Sequence, residues 1–164
     1  MTPTPSTARP PAGSLLGTIL TAWLIAGTLD IGIAVTYYPL TGSGNPFTIL
    51  QGIASGLIGP GAFLGGVATA ALGLACHYAI ALIWTVVFFA AYPRIGVLSY
   101  SRTLTAVLYG VLVSAVMNFV VLPMSHVAHR PFAPGAFTVA TVILIVAIGF
   151  PLAIVGGRYF AEYR

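Results

Sequence analysis

Three residues in this chain could do chemistry from inside apolar sequence: Asp30, His77 and Asn118. One carboxyl, one imidazole and one carboxamide are enough to hold a proton, a cation or a polar ligand. Such groups inside a bilayer are costly unless they are paired, and ionisable ones there are functional by default. Spacing puts each on a definite face. Residues four apart share one side of a helix, and each of the three extends a run of small residues at that spacing. The runs are Ala22, Ala26, Asp30 and Ala34; then Gly61, Gly65, Thr69, Gly73, His77 and Ala81; then Ala106, Gly110, Ser114 and Asn118. A fourth run, Gly149, Ala153 and Gly157, carries no polar group. Helices in lipid associate through small residues because leucine gains nothing by leaving equally apolar lipid. The small faces are therefore the expected helix–helix interfaces, and the polar residues should point into them.

Depth can be counted along the chain. Asp30 lies about 12 Å before the end of its run at Tyr38, and Asn118 about 8 Å before Pro123. His77 lies about 22 Å from Tyr92, leaving roughly 8 Å to the opposite edge of a ~30 Å hydrocarbon core. The three agree within one turn, so a polar cluster of Asp30, His77 and Asn118 is expected in the outer half of the membrane, with Tyr78, Thr28 and Ser114 as further members. Asp30 either donates a structural hydrogen bond when protonated or serves an ion, proton or ligand, paired with protonated His77. His77 also fits a satisfied core histidine, and Asn118 an interhelical clamp worth ~0.6 kcal/mol.

His126 and His129 follow in the string SHVAHRP. Three apart on a helix they could share a metal, but no acid or cysteine lies nearby, so they are weak metal candidates beside a solvated outer loop. No cofactor is expected. The chain has no Walker loop, dinucleotide fingerprint, HExxH or GxSxG motif, and one intramembrane carboxylate supplies no acid–base pair. An enzyme is not the expectation.

The elements that position these residues follow from composition. The 164 residues include six basic and two acidic side chains, 59% hydrophobic residues and a mean hydropathy of +1.03. Eight charges cannot cover a soluble domain of this size, and disorder needs low hydrophobicity with high charge. The remaining class is a polytopic membrane protein. Four spans are expected, about 14–38, 61–92, 103–122 and 138–157, in an all-α four-helix bundle. Residues 1–13, rich in Pro, Thr and Ser, read as a disordered cytoplasmic tail, and 14–164 as one bundle. Phe47–Gly59 covers only about 20 Å as a helix, too short to cross. It is read as an interfacial or re-entrant half-helix between helices 1 and 2. Pro60 is placed to open the second span, Pro93 and Pro123 to close the second and third, and Pro151 to kink the fourth.

The net charge of +4 comes from arginines flanking apolar runs and forms no patch for nucleic acid. With four spans, Arg9, Arg94, Arg102, Arg158 and Arg164 fall on one side and Arg130 on the other, which makes both termini cytoplasmic. Membrane lipids are the expected partners, with a second copy or another membrane protein if the bundle conducts anything. The lone Cys76 forms no intrachain disulfide and reads as a small buried hydrophobe.

Several strings carry a resemblance: AGTLD at 26–30, ILQGIASGL at 49–57, LGLACHY at 72–78, and Tyr109-Gly110 with Met117-Asn118 and Pro123-Met124-Ser125. Over about residues 15–155 the chain resembles small bacterial four-span proteins, themselves distantly similar to the YagU-like inner-membrane proteins. The resemblance implies a bacterial inner membrane and a shared bundle, with the acid, histidine and asparagine positions at Asp30, His77 and Asn118. It implies no activity or cofactor. Two functions remain: a non-enzymatic bundle that binds a partner, lipid or small ligand, or an oligomeric proton- or ion-linked transporter or channel using Asp30 and His77.

Overall fold

The computed structural model describes residues 14–127 and 132–162. The N-terminal tail, His129, Arg130 and Arg164 lie outside the described residues. Local signals start several of the helices. Ser14 caps α1 (Leu15–Leu40) by accepting from the Gly17 amide at 3.1 Å. Asn45 and Thr48 close a reciprocal capping box at the start of α2 (Pro46–Ile58), with Pro46 in the first turn, where its missing N–H costs nothing. Ser101 caps α4 (Arg102–Met124) by accepting from Leu104, and Pro134 opens α5 (Pro134–Ala161).

α1, α3 (Gly66–Ala91), α4 and α5 are each long and apolar enough to cross a membrane. The short apolar α2 lies between the first two of them, and the described residues contain no strand. This is the expected all-α membrane bundle with its extra half-helix.

The second span begins later than expected. Residues Pro60–Leu64 form a 3₁₀ turn, and α3 starts at Gly66. Gly59 and Gly66 adopt φ of 74° and 58°, a left-handed conformation that glycine takes without a Cβ penalty and that breaks a right-handed helix on either side of the turn. Thr69 secures the turn by donating to the Ala62 carbonyl at 2.6 Å. Gly61 and Gly65 therefore fall outside the α3 stripe.

The prolines of the last two spans are each preceded by a change of helical register. α4 ends at Met124, one residue after Pro123, and α5 runs through Pro151. A π-helical segment precedes each, Met117–Val121 and Ile145–Gly149. The residue just before each proline bonds five positions back, Leu122 to Met117 and Phe150 to Ile145. A proline has no N–H and its ring clashes with the carbonyl four residues earlier. One residue of local widening removes that clash while keeping the helix running.

Glycines set the helix contacts. A Cβ on Gly73 would fall 1.9 Å from the Leu50 carbonyl oxygen, on Gly149 2.2 Å from that of Ala106, and on Gly110 2.5 Å from the Ile145 Cα. The backbones of α2 and α3, and of α4 and α5, thus touch where no other residue would fit. α1 packs on both α3 and α5, with Ala22 and Ala26 fully buried. At the end of the bundle away from α2 sits the buried apolar cluster, with Phe88, Phe89, Tyr92, Tyr109, Val113, Ile148 and Leu152. Phe88 is completely buried and meets Tyr109 edge to face at 4.9 Å.

Candidate polar site between the first and third helices

The small face of α1 continues from Ala26 to Gly27 and Asp30. Gly27 lets α3 approach: a Cβ there would lie 3.1 Å from the Tyr78 ring. This closeness brings the α3 side chains onto the α1 backbone. The His77 Nε2 lies 2.9 Å from the Gly27 carbonyl oxygen. A carbonyl only accepts, so Nε2 carries the proton and donates, and Nδ1 is the nitrogen left to gain or lose one.

Three further contacts complete the seam. Trp23 Nε1 donates to the Tyr78 carbonyl at 2.7 Å. The Tyr78 and Thr28 hydroxyls share a hydrogen bond of 2.8 Å. The Tyr78 ring stands edge-on to Trp23 at 5.9 Å and to His77 at 5.6 Å.

Asp30 is half-buried one turn beyond Ala26. Its carboxyl lies within electrostatic reach of His77 on α3 and of Tyr38 on its own helix. Among the described residues no hydrogen-bond donor reaches it. Asp30 and His77 are therefore brought together, with Tyr78 beside them. α2 crosses α3 at Gly73, one turn from His77, with the backbone of Leu50 and Ala54 against the glycine. The crossing is held by buried Gln51, whose Nε2 donates to the Gly66 carbonyl at 3.1 Å.

Asn118 is engaged elsewhere. Its Nδ2 donates to the Ser114 carbonyl one turn back at 2.9 Å. Ser114, fully buried, pairs its hydroxyl with that of Thr141 at 2.7 Å and so links α4 to α5. No hydrogen bond among the described residues joins Asn118 to Asp30 or His77. The polar groups form two sites, one between α1 and α3 and one between α4 and α5.

The His126 side chain is exposed, and its backbone amide donates to the Gly56 carbonyl at 3.0 Å, tying the end of α4 to α2. Its expected metal partner His129 lies outside the described residues. Among the described residues no three His, Cys, Asp or Glu side chains converge as a metal site. Cys76 is half-buried and free. A surface groove of about 420 Å³ runs along the outer flank of α1 past Thr28, Gly32, Thr36 and Tyr37, and includes neither Asp30 nor His77.

Sequence reasoning missed Trp23, Tyr38 and Gln51. Trp23 is seven residues before Asp30 and Tyr38 eight after, the two-turn spacings of one helix face. That spacing was the available signal. For Gln51 there was none beyond a polar residue in an apolar half-helix.

No family model matches the chain, and neither a curated protein nor a solved structure is similar to it.

Proposed function

We propose that this multi-pass membrane protein is a non-enzymatic bundle that binds a small ligand, lipid or partner group at the Asp30–His77 pair beneath α2. The carrying observation is the carboxyl of Asp30. It sits inside a spanning helix within electrostatic reach of His77, yet no hydrogen-bond donor from the described residues reaches it. A carboxyl removed from water needs a partner, and a ligand presenting hydrogen-bond donors or positive charge supplies one. The arginine distribution supports placing both termini on the cytoplasmic side of a bacterial inner membrane in this reading.

Native mass spectrometry of protein in mild detergent tests the reading. A bound species present on wild type and lost from Asp30→Asn is the expected result. Identical, unliganded spectra for both proteins would overturn it.

The pairing of a carboxyl with an imidazole whose Nδ1 is free favours a second reading, an oligomeric proton- or ion-linked carrier. A carboxyl and an imidazole on facing helices supply the proton donor and acceptor that such a carrier needs. The broken path of α2, the 3₁₀ turn and α3 above the pair resembles the discontinuous helices that line transport sites. Flux into proteoliposomes that depends on pH and disappears in Asp30→Asn is the expected outcome. Equal flux in wild type and variant would count against transport.

A further inference from the structure

The end of the bundle away from α2 holds a cavity of about 270 Å³ between the last turn of α3, the start of α4 and the end of α5. Its lining includes Tyr92, Tyr100, Ser101, Arg102, Gly157 and Phe160. We infer that this cavity binds the phosphate of an anionic phospholipid headgroup, held by the Arg102 guanidinium.

The three described arginines are not equivalent. Arg94 follows the C-terminus of α3 and donates through Nη1 to the Ala90 carbonyl. Arg158 lies in the last turn of α5. Both are cations at helix C-termini, where the helix dipole favours positive charge. Arg102 is the first residue of α4, where the dipole disfavours it. The positive-inside tendency accounts for an arginine on this side but not for one at a helix start facing a cavity.

An anion in the cavity would pair with the guanidinium through charge-assisted hydrogen bonds. The protein does not supply one from its own described residues. Asp30 lies far along α1 in the other half of the bundle, and Glu162, at the C-terminal end of α5, makes no ion pair with Arg102.

Gly157 makes the room. A Cβ at this position would lie 3.4 Å from the Tyr92 hydroxyl and 3.5 Å from the Arg102 Nε. Alanine would just fit, and a larger side chain would fill the space. A lipid is favoured over a soluble anion by the surrounding rings. Tyr92 stacks on Phe160 at 5.1 Å and 13°, and Tyr100 is 86% exposed beside them. Aromatic residues at the ends of spanning helices belong at headgroup level, so the opening meets lipid phosphates at high local concentration.

The test is native mass spectrometry of the full chain in mild detergent, titrated with phosphatidylglycerol, with phosphatidylcholine, and with inorganic phosphate. Wild type should retain one tight phosphatidylglycerol adduct. Arg102→Gln, at an exposed position, should weaken it about tenfold, as expected for one charge-assisted hydrogen bond. Gly157→Leu should weaken it similarly by filling the cavity, while Arg94→Gln and Arg158→Gln keep the wild-type affinity. Equal adducts on wild type and Arg102→Gln would overturn the proposal. So would an equal loss in all three arginine variants, which would indicate diffuse charge. Occupation by inorganic phosphate as tight as by phosphatidylglycerol would overturn the lipid assignment in favour of a free anion.

Discussion

His77 donates from Nε2 to the Gly27 carbonyl of the neighbouring helix across 2.9 Å, and this one contact decides which nitrogen of the ring faces the rest of the site. The neutral imidazole should therefore be the Nε2-protonated tautomer. Nitrogen-15 NMR of histidine-labelled protein should show that tautomer in wild type. It should persist in Asp30→Asn, because the bond to Gly27 does not involve the carboxyl. An Nδ1-protonated signal in either protein would contradict the arrangement.

Tyr78 and Trp23 stitch α1 to α3. Tyr78→Phe removes the hydroxyl bond to Thr28 but leaves the carbonyl that Trp23 uses. Interhelical hydrogen bonds in membranes average about 0.6 kcal/mol, and a loss of that size is expected for Tyr78→Phe in reversible unfolding from mixed micelles. Trp23→Phe should lose a comparable amount through its indole N–H.

Steric predictions are sharper. Gly110 and Gly149 face the backbone of the opposite helix, and any Cβ there collides with Ile145 or with the Ala106 carbonyl. Gly110→Leu and Gly149→Leu should each cost at least about 3 kcal/mol, at the top of the overpacking range. Gly52→Ala and Gly32→Ala, with nothing near the added methyl, should leave thermal stability within about 0.5 kcal/mol of wild type, the range for surface changes.

α2 depends on Gly73 for its seat. Gly73→Leu should push Leu50 and Ala54 away and open the space above His77. Cys76, the single cysteine, lies on the next turn of α3 and reports the change. Its reaction with a small maleimide should be faster in Gly73→Leu than in wild type. Unchanged labelling in a folded variant would mean that α2 keeps its place.

Phe88 anchors the opposite end. Fully buried, it contacts Tyr92 and Tyr109 and presses on Gly156. Phe88→Ala should cost about 3–5 kcal/mol, read as a lower melting temperature in detergent.

Much of this was legible along the chain. Composition determined the class, because eight charges leave no way to cover such a surface in water. Lengths of the apolar runs determined four spans and a half-helix, because the bilayer fixes how many residues cross it. Spacing of four marked Ala26, Gly73, Gly110 and Gly149 as contact positions. Counting depth put Asp30 and His77 at one level, and they lie within electrostatic reach of each other.

Other features depended on which helix faces which. Asn118 bonds back to Ser114, and Ser114 in turn to Thr141 on α5, and a one-dimensional count cannot say which neighbour a face will meet. The start of α3 rests on the positive φ of Gly66, and the course through Pro123 and Pro151 on a local change of helical register. Both are backbone responses to packing, and many sequences with the same periodicity could choose otherwise. The proton on His77 Nε2 was likewise decided by the fold, since only the approach of α1 at Gly27 puts a carbonyl oxygen where that nitrogen must donate.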